Sequence, residues 1–269
     1  MSKELQTLVN DFLKFYSENK YNSELNQVTQ FLLEQTLSAR GYNNYHNKEE
    51  SGELFFINEI LAKSNPKLCI DVGANIGSYS LEIAKSTNSN VIAFEPLPVA
   101  FDILQRNLLE FSDRIKLENV GVGAKAEKLT INFNPNATSH ASFSKDVEKI
   151  NYLNNEEKII VPVVTLDSYF ENNNIREVDL IKIDVEGFES EVFQGASKIF
   201  TQIRPRFIQM EFNWHQLFLN KSLNYFSEQL LGYDTYQLLP QGWIKRDPKD
   251  PYSNIFLFSN FVFVSLDTI

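Results

Sequence analysis

The 269 residues carry 25 Lys and Arg against 35 Asp and Glu, a net charge of −10, with 43% hydrophobic and 22% charged residues. That balance excludes wholesale disorder and a fibrous class, and it opposes capture of a nucleic-acid backbone or an anionic membrane as the main activity. A single cysteine, Cys69, and three histidines leave no internal disulfide and little material for a metal site built on sulfur or imidazole, so a reducing, cytoplasmic setting is expected.

The first ten residues lack the basic segment and apolar core of a signal peptide, and no stretch approaches about 18 consecutive apolar residues. No integral membrane segment is expected. Leu5, Leu8, Val9, Phe12, Leu13 and Phe15 fall near helical spacing, and Val28, Phe31, Leu32, Gln35 and Leu37 predict a second helix. After a polar stretch over 41–52, Leu54, Ile57, Ile60 and Leu61 form a third apolar stripe that stops at Asn65-Pro66. Residues 1–62 therefore read as a helical extension, whose apolar stripes offer a surface for a homodimer.

From Lys67 onward short apolar runs alternate with helical patterns, the rhythm of parallel strands joined by crossover helices. Strands are expected over 68–72, 91–94, 115–120, 180–183 and 206–212. Helices are expected over 78–85, 98–111, 190–200 and 222–231. A closing antiparallel pair is expected from 235–239 with 260–265. Between them the helical period vanishes: Leu129, Ile131 and Phe133 alternate, a polar loop covers 134–155, and alternation resumes over 159–164, which predicts a β insertion. No repeat or linker divides residues 63–269, so one α/β domain is expected there.

The segment Asp71-Val72-Gly73-Ala74-Asn75-Ile76-Gly77 is a strand running into a glycine turn and then a helix. Open α/β sheets bind ligands at such strand ends. A dinucleotide turn would carry G-x-G-x-x-G; here the third glycine is missing and an acid leads, which suits a cationic ligand such as S-adenosylmethionine better than a diphosphate. Glu95, 24 positions on, stands where nucleotide-binding folds place a carboxylate on ribose hydroxyls. Asn119 offers an amide for an adenine edge. In Lys182-Ile183-Asp184-Val185-Glu186 three charges share one side of an otherwise apolar strand, costly to bury unless paired or used. Asp184 and Glu186 can accept a proton or orient a hydroxyl. The loop around His140 offers small polar groups of the kind a sugar needs, and Trp243 either stacks on a sugar face or packs in the core.

These segments, with Phe94-Glu95-Pro96, Val164-Thr165-Leu166-Asp167 and the run from Ile181 to Gly187, resemble the ordered signature of the FkbM-type S-adenosylmethionine-dependent methyltransferases over about residues 53–213. The resemblance implies a Rossmann-like class I methyltransferase fold: a seven-stranded, mostly parallel sheet with an antiparallel closing hairpin. It implies O-methylation, commonly of a sugar hydroxyl in a polysaccharide, glycan precursor or natural product. Gly73, Asn75 and Gly77 would line the methionine end, Glu95 the ribose, and Glu53 falls where the family has a glutamate before the first strand. Where the family has Glu-x-His, this chain has Glu211-Phe212-Asn213. His215, two residues on, either replaces the missing histidine as base or caps the next helix. Similarity to related sugar methyltransferases also implies a magnesium ion, for which Asp184 and Glu211 are the candidate ligands. The base is expected among Asp184, Glu186 and His215, with Glu211 orienting. Two other readings stay open: a nicotinamide-dependent oxidoreductase, because a strand, glycine turn and ribose acid serve both cofactors, and a scaffold that binds cofactor without chemistry.

Overall fold

The structure is a computed structural model describing residues 2–134, 138, 141–143 and 157–268. Helices α1 (Lys3–Asn19) and α2 (Asn26–Ala39) form where the two apolar stripes predict them, and α1 starts at Ser2, whose hydroxyl accepts the Leu5 N–H at 3.2 Å. Neither helix contains a buried residue; the Tyr16 hydroxyl reaches Thr29 at 2.9 Å between them. The third stripe behaves differently. Helix α3 (Glu53–Phe55) continues as a π-helical turn, Phe56–Leu61, and puts Phe56, Ile57 and Leu61 into the core.

Then follow β1 (Leu68–Val72), α4 (Ser78–Ser86), β2 (Asn90–Phe94), α5 (Pro98–Asn107), β3 (Ile115–Glu118), β4 (Gly121–Val122), β5 (Glu127–Phe133) and β6 (Glu157–Val164). The chain goes on through α6 (Leu166–Asn172), β7 (Leu180–Ile183), α7 (Glu189–Gly195), β8 (Phe207–Phe212), α8 (Trp214–Phe218), α9 (Leu223–Ser227), β9 (Tyr233–Leu239), β10 (Gly242–Arg246) and β11 (Ser259–Ser265). The main sheet has the order β10-β9-β11-β8-β7-β1-β2-β3; its last five members are parallel, and β11, β9 and β10 run antiparallel.

The sheet is Rossmann-like as expected, but it has eight strands rather than seven. The extra one is β10, joined to β9 by the two-residue turn Pro240-Gln241. Trp243 lies on it, stacked on Tyr236 at 4.5 Å and packed against the core. The expected third strand breaks after Glu118: β4 leaves the main sheet and pairs with β6, which with β5 makes the predicted insertion a second, three-stranded sheet. Helix α6 escaped prediction. It starts where Thr165 accepts the Ser168 N–H at 3.1 Å. The expected helix over 190–200 ends at Gly195, and a π-helical turn, Ile199–Ile203, follows. Among the described residues no helix is long and apolar enough to cross a membrane.

Both faces of the parallel strands are covered, so their sequences run nearly continuously apolar. Ile70, Val72, Ile181, Ile183, Ile208 and Met210 pack toward α6 and α7, while Cys69, Leu180 and Phe207 pack toward α3 and α4. The exceptions are aligned. Asp71, Lys182 and Gln209 are register partners on three adjacent strands, so one polar row crosses the face under α4.

Candidate active site

The carboxyl ends of β1, β2 and β7 open into a cleft. Its walls are Val72, Phe94, Val120 and Val122 from the sheets and Ile131, Thr138, Ala141 and Phe143 from the insertion. Its polar groups are Asn75, Glu95, Asp184 and Glu186. The insertion thus forms part of the site. The Thr138 hydroxyl donates to Asn75 Oδ1 at 3.1 Å, and Ser142 donates to the Glu186 carbonyl at 2.6 Å. His140 and its neighbours 135–137 and 139 lie outside the described residues.

At the β1 turn, Gly73 has φ +83°, and a Cβ there would stand 1.8 Å from the Asp184 carbonyl oxygen. Only glycine lets the β1 and β7 turns meet this closely. Gly77, with φ +87°, serves packing instead: a Cβ would meet Leu104 of α5 at 2.6 Å, and the residue does not line the cleft.

Glu95 is 6% exposed; one carboxylate oxygen takes the Asn75 N–H and the other the Leu97 N–H, each at 2.8 Å. Burial pushes its carboxyl up to about 7 despite those two amides. Each oxygen keeps a lone pair for a ligand hydroxyl. Asn119 is not on the cleft wall: its amide donates to the carbonyls of Glu95 at 2.8 Å and Pro96 at 3.3 Å, steadying the turn that carries Glu95.

Asp71 and Glu53 are not on the cleft wall either. Asp71 is fully buried in the polar row, accepting from Ser80 at 2.7 Å and lying 3.8 Å from the Lys182 ammonium. Glu53 accepts from Gln209 at 3.3 Å, and Gln209 in turn accepts from Tyr79 at 2.5 Å. Burial raises both carboxyls, and Lys182 opposes the rise. Burial alone would lower Lys182, but Asp184, Asp71 and Glu53 outweigh it and hold the ammonium above its usual range.

The acceptor-side acids meet at the ends of β7 and β8. Asp184 is ion-paired with Lys182 at 2.9 Å. Glu186 follows in left-handed backbone, φ 53°, a conformation that costs a non-glycine residue about 1–3 kcal/mol. Its Oε2 lies 3.4 Å from His215 Nδ1. Glu211 accepts from the Asn213 amide. Glu186 and Glu211 are both driven well above the carboxylate range, first by burial and then by the other acids, with Asp184 and Glu189 acting on both.

The two readings of His215 separate here, because Asn213 caps α8: its side chain accepts the His215 N–H at 2.7 Å. His215 is the second residue of that helix, 2% exposed, and faces Glu186. The magnesium reading gains no support. Asp184 is taken by Lys182 and Glu211 by Asn213, and among the described residues no three His, Cys, Asp or Glu side chains are arranged to hold a metal ion.

Sequence reasoning missed two partners. Glu189, 1% exposed, accepts from the N–H groups of Val185 at 3.1 Å and Gly187 at 3.2 Å, and burial lifts it to about 7. Its other oxygen accepts from Gln216 at 2.8 Å. Gln216 was findable: Asn213-Trp214-His215-Gln216 is a capping-box pattern, and the box forms.

The family model described as "Methyltransferase FkbM domain" matches residues 71–235. The chain is 29% identical over 161 residues to "Methyltransferase sdnD" of Sordaria araneosa, covering 50% of this chain and 62% of that protein. It is 30% identical over 129 residues to "Hexuronic acid methyltransferase AglP" of Haloferax volcanii, covering 47% of this chain and 48% of that one. It is 28% identical over 150 residues to "31-O-demethyl-FK506 methyltransferase FkbM" of Streptomyces tacrolimicus, covering 47% and 58%. The chain spans about half to three fifths of the length of these curated relatives.

Proposed function

The chain belongs to the FkbM methyltransferase family, and from that premise we propose that it transfers a methyl group from S-adenosylmethionine to an oxygen, a hydroxyl of a sugar or glycan precursor. The observation that carries this reading is the single cleft joining Glu95 at one end to Asp184 and Glu186 at the other. Bound there, the donor would supply an electrophilic methyl on a positively charged sulfur.

The residues present fit that group. Glu95, with two spare lone pairs, would hold ribose hydroxyls, and Val120, Val122, Ile131 and Phe143 give apolar surface for a base. Gly73 and Asn75 would face the methionine end. The AglP relative, whose name gives hexuronic acid as its substrate, supports a sugar as acceptor class.

An alcohol is a weak nucleophile and must give up its proton as the new bond forms. Glu186 takes that role here. It lines the cleft, its proton affinity is raised, and His215 stands beside it. Asp184 is a weaker candidate because Lys182 already neutralises it. The family assignment and the cleft's two ends give the nicotinamide and scaffold readings no support of their own.

Calorimetry with S-adenosylmethionine and with NAD, followed by methyl-labelled donor and glycan extract, tests the reading. Donor binding without NAD binding, and label that survives mild alkali as an ether does, are expected. Label found on nitrogen or carbon, or binding of NAD alone, would sink it.

A further inference from the structure

The turn that carries Glu186 is held from both sides. Residues 185–187 leave the end of β7, with Glu186 at φ 53° and Gly187 at φ 90°, so two successive residues occupy left-handed backbone. A turn in that conformation does not hold itself, because each non-glycine residue in it has a lower-energy alternative. The amides on either side of Glu186, those of Val185 and Gly187, both end on Glu189 Oε1, and Glu189 Oε2 takes the Gln216 side-chain amide. Gln216 Oε1 accepts the Asn213 backbone N–H at 2.7 Å, and the Asn213 side chain holds Glu211. This unbroken chain of hydrogen bonds links the β7 turn to the end of β8 and to α8, the helix that bears His215.

Resting on the reading above, we infer that Glu189 and Gln216 are positioning residues for methyl transfer: they form a strut that fixes the Glu186 carboxylate against His215 and the acceptor. Neither side chain lines the cleft. Glu189 and Gln216 are 1% exposed, so they act through the turn and helix they hold rather than by touching substrate. Besides the amide of its own residue, Glu189 holds the turn before its helix with one oxygen and a different helix with the other.

The polarity of the strut makes it testable by exchange. In Glu189→Gln the side-chain oxygen still accepts from residues 185 and 187, but its amide confronts the Gln216 amide, donor against donor. Adding Gln216→Glu turns that confrontation into a hydrogen bond, and the new carboxylate still accepts from Asn213. All contacts return with the central one reversed and the net charge unchanged.

Transfer of labelled methyl to glycan extract is measured for wild type, both single variants and the double variant, with donor affinity and melting temperature read alongside. The expected result is a rate at saturating donor about 100-fold lower in each single variant, the size of effect that small misplacement of a reacting group produces. Donor affinity should stay within about 3-fold, and the double variant should recover to within about 5-fold of wild type. A single variant that transfers at the wild-type rate, or a double variant no better than the singles, overturns the inference. If wild type binds no adenosyl donor, the methyltransferase reading fails separately. Amide hydrogen exchange at residues 185–187 then decides the strut: faster exchange in Gln216→Ala supports it, and unchanged exchange overturns it.

Discussion

Two groups of buried acids lie within a few residues of each other and are handled in opposite ways. Under α4, Asp71 and Glu53 share Lys182, Ser80 and Gln209, so each carboxylate has a donor or a counter-charge within reach. At the ends of β7 and β8, Glu186 and Glu211 crowd with Asp184 and Glu189, and the buried ammonium of Lys182 nearby is already bound to Asp184 and Asp71. The first arrangement is a compensated row inside a sheet. The second stores proton affinity where the cleft opens. Compensation keeps a buried carboxylate paired, whereas crowding raises a carboxyl's affinity for a proton.

The largest effect should come from the crowded group. Glu186→Gln is expected to lower methyl transfer by about 10²–10⁴-fold while leaving donor affinity and melting temperature near wild type. A variant that unfolds rather than slows would erase the contrast. Next in size is the compensated row, where Lys182→Met leaves Asp71 buried without its counter-charge and should cost about 3–5 kcal/mol of stability, read from the urea midpoint. Unchanged stability would mean that the row is not held by charge.

The pH response sharpens the comparison further. Glu95 and Glu189 titrate near 7 in the folded chain against 4.5 when unperturbed, so the folded state binds the extra protons. Raised pKa values of this kind give stability that is fully present below pH 4.5 and falls as pH rises through 7. Between pH 4.5 and pH 7 the wild type should lose up to about 3 kcal/mol more than Glu95→Gln does, because a proton held only by the folded chain is worth about 1.4 kcal/mol for every pH unit in that interval. Parallel stability curves for the two proteins would refute this. The smallest effect is reserved for Asn119→Ala, which removes two amide contacts to the Glu95 turn and should cost about 1 kcal/mol in stability with a few-fold loss of donor affinity.

The glycine turn, Glu95, the charged strand around Lys182 and the β insertion were legible in the sequence because each depends on local chain geometry: a strand end, a spacing, or alternation of apolar side chains. The fate of Asp71 was not. Its place at the end of β1 is compatible with facing either the cleft or α4, and the register with Lys182 and Ser80 of α4 decides for the second. Asn119 follows the same logic, since an amide beside a turn can face a ligand or tie the turn, and here it does the latter. That His215 does not cap α8 became visible only once Asn213 was seen to do so.

The sequence by itself determined the α/β class and the order of the site motifs, because hydrophobic period and residue spacing are properties of the chain alone, and the likeness of those motifs to a known signature pointed to the family. Tertiary structure alone decided which acids are neutralised and which are crowded. That distinction depends on the distances between strands far apart in sequence and on the depth at which each carboxylate is buried, and both are set by packing.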